Sequence, residues 1–398
     1  MIAGWQTKTL GELSELITDG THNSPEYVEA GIPMLDSKHV KDGFVIDDTK
    51  PEKFISLATD ELLSKRCKPS AGDILISSRG SIGKIAIVRE GQDFNIMGNM
   101  ILIRLPNTIN RDFTAFYLHS KVSHIESIAR GVAQKGLYLN QVQDYDLPLP
   151  PLPEQQRIVA ILDEAFKCIA AAAVNADKNL KNARELFEST LQSIFTDALQ
   201  TGELVTLADL ATDITDGDHM PPPKAPSGVP FVTIRNIDKR TRKIDFADTF
   251  MVSREYFDRL KTNKKPEKGD VLYTVTGSFG IPVLVDEHRD FCFQRHIGLV
   301  RPKPEVSSEW LYYLLMSPQV LRQANDGATG TAQKTVSLKL LRNFQVPRVP
   351  LPLQREIAAK LNAVSNEAQR LEAIYQQKLA LLAELKKSLL QQAFSGEL

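Results

Sequence analysis

Cysteine is scarce in this chain. Its 398 residues hold three, Cys67, Cys168 and Cys292, far apart and odd in number. That excludes a disulfide framework or a cysteine-built zinc cluster and fits a reducing, cytoplasmic setting, with buried free thiols the plain reading. No run approaches the roughly 18 consecutive apolar residues of a membrane span. The opening MIAGWQTKTLGEL lacks the basic-then-apolar order of a signal peptide, so no membrane partner is expected. An excess of one charge sign is missing too: the formal net charge is −1, which excludes a uniformly basic nucleic-acid binder. HExxH, zinc-ligand spacing, a glycine-rich cofactor loop after a first strand and the NPP[YF] or DPPY loop of amino-group methylation are all absent. Pro266-Glu267-Lys268 faintly resembles a nuclease motif. However, Pro51-Glu52-Lys53 is not its repeat partner and no acidic strand precedes it. The expectation is a non-catalytic chain with no cofactor or metal of its own.

What is present is unevenly placed. Residues 1–199 carry 21 Lys and Arg against 26 Asp and Glu, whereas residues 200–398 carry 27 against 23. Arg235–Lys268 alone holds 11 basic and 6 acidic residues. A local patch of this kind binds phosphate even when the total charge is near zero, though a solvated charged face reads the same way.

The chain is also a duplication. ITDGTH (Ile17–His22) returns as ITDGDH (Ile214–His219), and GIPML (Gly31–Leu35) as GVPFV (Gly228–Val232). KPSAGDILISSRGSIG (Lys68–Gly83) returns as KPEKGDVLYTVTGSFG (Lys265–Gly280), all at a shift of 197. AQK (Ala133–Lys135 and Ala332–Lys334) and LPEQ/LPLQ (Leu152–Gln155 and Leu351–Gln354) repeat at 199. Constant shifts over this length mark two copies of one unit.

Within that repeat, SSRGSIGK superficially resembles a phosphate-binding loop. Lys84 is answered by Ile281, the GxxxxGK[ST] spacing is absent, and Ile85 stands where a magnesium-binding hydroxyl belongs. Gly-Ser-apolar-Gly between alternating apolar runs predicts a β-hairpin turn in both copies, whose exposed N–H groups remain available to a nucleic-acid phosphate.

Four segments follow one another. Residues 1–152 and 205–351 read as mixed α/β domains, each closing on a proline-rich lead-in, DLPLPPLP or VPRVPLP, that cannot be helix interior. Residues 153–204 and 352–398 read as long helices. Ile158, Leu162, Ala165, Ile169, Ala172, Ala176, Ala183 and Leu186 follow heptad spacing in the first. Ile357, Leu361, Val364, Ala368, Leu371, Tyr375, Leu382 and Leu385 match them in the second. Small residues of one seam face large residues of the other, which predicts an intramolecular antiparallel coiled coil of about 60 Å with a pseudo-twofold axis. Both helices end on Gly-Glu-Leu, with glycine suited to a helix C-cap. A helix packing only on its own domain is the alternative. The fold class is α+β: two mixed α/β domains separated by two long helices.

PLPPLPEQQRIVAIL (Pro148–Leu162), VPLPLQREIAAKL (Val349–Leu361), the terminal FSGEL and DGTH/DGDH together resemble the specificity (S) subunit of type I restriction-modification systems, over essentially the whole chain. The second copy departs with Leu353 and Arg355 where the first has Glu154 and Gln156. The resemblance implies two target recognition domains, 1–152 and 205–351, each reading half of a bipartite asymmetric site on double-stranded DNA. It implies that 153–204 and 352–398 set the spacing and dock DNA methyltransferase (M) subunits, with restriction (R) subunits joining through them. It further implies that S-adenosylmethionine, ATP and magnesium are bound by those partners. A coiled-coil scaffold without DNA specificity stays open as the alternative.

Base reading needs polar side chains at loop ends, and repeat positions that differ in chemistry are the better candidates, since the half-sites differ. Ser37, Lys38 and His39 match Ile234, Arg235 and Asn236, Ser78 and Arg79 match Val275 and Thr276, and Asn99 matches His296. Gln134–Lys135 and Gln333–Lys334 are shared, which suits phosphate contact or a structural role. Lys239, Arg240, Arg242 and Lys243 add phosphate-binding candidates. His22 and His219, in the repeated DGxH turn, read as hydrogen-bonded structural histidines.

Overall fold

The computed structural model describes residues 4–131, 135–220, 222–330 and 333–398. The chain divides into two compact units, Met1–Ala176 with Gln377–Leu398, and Asp177–Gln376. In the first, β1 (Leu16–Asp19), β2 (Ile74–Ser77), β3 (Ile85–Ile87) and β4 (Met100–Arg104) form an antiparallel sheet in the order β1-β4-β2-β3. Helix α1 (Arg111–Ser120) covers one face, and α2 (Val122–Ile128) follows it. The strand period of two divides the apolar side chains between two cores. Ile74, Ile76, Ile101 and Ile103 pack with Phe113 of α1, while Leu75, Met100 and Leu102 pack with Phe94 and Ile96 on the other side. A small mixed sheet of Ile32–Leu35, Phe54–Ile55 and Asn95–Ile96 completes the domain.

After the long helix α3 (Leu152–Thr201) the second unit repeats the plan. Strands β5 (Ala211–Asp216), β6 (Val271–Thr274), β7 (Pro282–Leu284) and β8 (Ile297–Pro302) run in the order β5-β8-β6-β7. They are backed by α4 (Ser308–Met316) and α5 (Pro318–Gly327), and the chain closes with α6 (Leu351–Ser395). The proline-rich lead-ins are extended as expected. Asp146–Leu149 pairs with Gln6–Thr9 and Gln345–Pro347 with Leu204–Thr206, two-stranded ribbons in which proline is tolerated at the edge.

The long helices run antiparallel within each unit. In the first, the start of α3 lies beside the end of α6: Arg157 donates to the Leu398 carbonyl at 2.7 Å, Lys386 sits 4.9 Å from the Phe166 ring centroid, and Ile158 and Leu162 share a core with Leu390 and Ala393. In the second, Arg184 pairs with Glu372 at 3.2 Å, and Leu191 and Phe195 share a core with Ala358 and Leu361. The chain terminus accordingly packs on the first unit. Gly396, at φ +78°, ends α6 with Glu397 N–H donating to Gln392, a glycine C-cap.

Most of the expected seam is inward. Ile158, Leu162, Ala176, Ala183 and Leu361 are buried, and Ile169, Ala172, Ile357, Val364, Leu371, Tyr375 and Leu382 are half-buried. Leu186 and Leu385 are corrections: both are exposed, and they are equivalent positions of the repeat. A helix of 3.6 residues per turn drifts about 20° per heptad against a strict seven-residue pattern. Four heptads in, Leu180 is the buried residue, and Phe187 packs inward where the heptad pattern points to Leu186.

Candidate nucleic-acid interface

At the end of β1 the DGxH segment turns sharply, and glycine is the residue that permits it. A Cβ on Gly20 would lie 2.2 Å from the Ile96 carbonyl oxygen, and one on Gly217 would lie 2.0 Å from that of Phe293. The aspartate before each glycine then accepts from the histidine. His22 Nε2 is 2.6 Å from Asp19 Oδ2, and His219 Nε2 is 3.0 Å from Asp216 Oδ2. These are the structural histidines the sequence suggested. Asp19 also pairs with Arg66, and Lys264 donates to the Gly217 carbonyl at 3.1 Å.

The glycine-serine turns are the hairpins β2–β3 and β6–β7. Gly80 and Gly277 both have φ +74°, and Gly83 and Gly280 follow at +82° and +88°. Inside the first turn the Ser77 hydroxyl donates to the Ser81 carbonyl and accepts from Lys84 N–H. Thr274 makes the same two bonds, to Ser278 and from Ile281. The loop is filled by its own hydroxyl, and Lys84 points outward to solvent.

Three loops meet beside each hairpin. In the first unit Ser78 N–H donates to the Asn99 carbonyl, Leu137 N–H donates to the Ser78 carbonyl, and Arg79 bridges to Gly136. The second unit repeats this atom for atom: Val275 to His296, Val336 to Val275, and Thr276 bridged to Thr335. The common backbone holds different side chains at the same stations. In the second unit they line an open cleft of about 460 Å³, where Thr276, His296 and Gln333 join His219, Arg295 and Asp216. Burial first, then the charge of Arg295, holds His296 below the usual imidazole range, so its ring is a neutral donor and acceptor near pH 7. In the first unit Arg79 is exposed and Asn99 donates to Ser37 Oγ at 3.1 Å, its own Oδ1 enclosed and unpartnered. Lys135, Gln333 and Lys334 are exposed, and Gln134 lies outside the described residues. Each rim is therefore a set of hydrogen-bonding groups on short loops above a rigid sheet, suited to base edges and phosphates rather than to bond-making chemistry.

The model for the type I restriction modification DNA specificity domain matches residues 2–181 and again 201–379. The chain belongs to this specificity family. It is 22% identical over 369 residues to the MjaVIII specificity subunit of Methanocaldococcus jannaschii, covering 86% of this chain and 81% of that one. Its fold matches the HsdS subunit of Thermoanaerobacter tengcongensis with a TM-score of 0.68 at 22% identity, over 100% of this chain and 98% of the other. A chain solved in work on complex assembly and conformational transition of the type I restriction-modification system aligns at 0.75, also at 22% identity, over 100% and 99%. Among the described residues no helix is long and apolar enough to cross a membrane and no metal-binding group of side chains is found.

Within this specificity chain the other candidates separate. Lys38 and Arg235 are exposed on 3-10 turns, Lys38 paired with Glu52. Their neighbours are corrections. His39 is buried, its Nδ1 accepting from Asp36 N–H at 3.0 Å. Asn236 is buried, its Oδ1 accepting from Thr233 N–H at 2.9 Å while its amide donates to Asp248. Each is buried and closes its own turn. Ser78 is buried as well and meets the rim only through its backbone. Lys239, Arg240 and Lys243 are exposed around one hairpin, but Arg242, at φ +52°, folds inward with Nε enclosed and its charge felt by Tyr312.

Sequence reasoning passed over Arg295, which flanks His296 and reaches the rim through tertiary folding alone. It also left the repeated Gln of LPEQ/LPLQ unexplained. Gln155 is buried, accepts Asn110 N–H and donates to the Pro150 carbonyl, both at 2.8 Å. Gln354 does the same with Ser307 and Val349 at 2.7 Å. The glutamine ties the root of each long helix to the start of α1 or α4.

Proposed function

We propose that each unit reads one half of a bipartite, asymmetric DNA sequence. The observation that carries this is the pair of loop clusters that share the same backbone bonds and hold different side chains at equivalent stations: Arg79 against Thr276, Asn99 against His296. One backbone frame with two sets of base-edge groups selects two different half-sites. The long helices, shared by both units, set the gap and dock methyltransferase subunits, through which restriction subunits join. The chain is a non-catalytic subunit that works in the cytoplasm. Methyl transfer and ATP-driven restriction belong to those partners, which hold S-adenosylmethionine, ATP and magnesium. The match to the specificity family supports DNA selection and gives none to a scaffold without it.

The test is to map methylated adenines in a host carrying this chain with its partner subunits, before and after Arg79→Ala. We expect a two-part motif whose first-unit half relaxes by ~10–100-fold, the range of one lost base contact, while the other half and the gap stay unchanged. Relaxation of both halves together, or an undivided motif, would sink the reading.

A further inference from the structure

Beside the end of α1 in the first unit lies a groove of about 630 Å³ that is lined by none of the rim residues. One wall is the α1–α2 junction, with His119 and Lys121; the other is the last turns of α6, with Lys386, Lys387, Leu390 and Phe394. No carboxylate lines it. Lys386 lies over the Phe166 ring at 4.9 Å and Lys121 over Tyr117 at 5.8 Å, and among the described residues none of the three lysines forms a salt bridge. Three lysines thus line one groove with no carboxylate in its lining, an electropositive surface that favours an anion. Burial first, then the Lys386 charge, holds His119 below the usual imidazole range, with Asp42 opposing.

The second unit supplies a control. At its equivalent junction Met316, Pro318, Phe187 and Glu188 stand where His119, Lys121, Lys386 and Lys387 stand in the first. There the space is filled: Gln319 donates to Thr196 Oγ1 at 2.6 Å, and Val320, Leu191 and Phe195 are buried. The scaffold does not require an opening here, and the cationic groove belongs to one copy alone.

We propose that this groove binds a compact oligophosphate, such as the phosphate chain of a nucleoside triphosphate. The volume is that of a small-molecule site. Three lysines line this one groove, which matches charge concentrated on adjacent phosphates, whereas an acidic peptide spreads its carboxylates along its length. Leu390 and Phe394 form an apolar floor on which a base can rest.

Isothermal titration of the full-length chain with inorganic tripolyphosphate, ATP, polyglutamate and a random duplex tests this. Saturable binding of tripolyphosphate is expected, weakened at least tenfold in the double variant Lys121→Glu, Lys387→Glu; both sites are exposed, and circular dichroism melting confirms that the variant is folded. ATP binding at or above the tripolyphosphate affinity, with the same loss, agrees with the proposal and assigns the floor to the base. Failure of tripolyphosphate to bind, binding untouched by the double variant, or binding of polyglutamate or duplex alone overturns it.

Discussion

Arg104 grips Asp73 in the first unit as Arg301 grips Asp270 in the second, each through two bonds of 2.6–2.9 Å, and each also reaches a lysine carbonyl of the KP segment. A few residues away, at the rim, Arg79 stands where the other unit has Thr276, and Asn99 where it has His296. The duplicated scaffold is thus held by the same buried polar clamps in both copies, while the side chains on its loop ends differ. Clamps of this kind tolerate no partial change, because a lone buried carboxylate or amide is costly. Rim side chains answer to solvent and are free to diverge. A chain that must read two sequences with one fold needs this division.

The comparison breaks most readily at the clamps. Arg301→Ala leaves Asp270, 2% exposed, without its cation, and we expect a loss of about 3 kcal/mol in urea unfolding. Arg104→Ala should cost somewhat less, since that guanidinium is 33% exposed against 19%. Equal, negligible losses would show that the forks do not hold the two domains. Next come the helix roots. Gln155→Leu or Gln354→Leu strands one buried N–H and one carbonyl each, and about 2 kcal/mol should be lost in either unit; a difference between them would expose an asymmetry the shared bonds do not reveal.

The smallest effect sharpens the contrast through pH. Each unit has one imidazole depressed mainly by burial and lacking a counterpart in the other: His119 opposite Met316, and His296 opposite Asn99. Their folded pKa values lie below the unfolded value near 6.5, so the unfolded chain binds more protons as pH falls past that point, and stability drops. Above pH 7 neither contributes a slope. His119→Gln should flatten the acid loss of the first unit only and His296→Gln that of the second, read from melts between pH 7 and pH 5. A flat profile in the unsubstituted chain would refute the assignment.

How far all this was legible from residues alone depends on what kind of fact was sought. The repeat exposed the double domain, the hairpin turns and the helix pair, since the same local rules act twice on similar strings. It also flagged Thr276, His296 and Arg79 at the rims. It misjudged His39 and Asn236, because a polar residue on a 3-10 turn looks alike whether it faces water or caps its own loop. Leu186 and Leu385 went astray because a seven-residue count ignores accumulated helical drift.

Order, duplication, turn chemistry and the apolar faces of strand and helix were determined by the chain itself, being consequences of backbone geometry and of burial at fixed periods. Which polar groups ended in a rim and which in a clamp was decided only by tertiary structure. The reason is that Asn99 meets Ser37, Gln155 meets Asn110, and Lys386 meets Phe166 across dozens to hundreds of intervening residues, where no local periodicity acts.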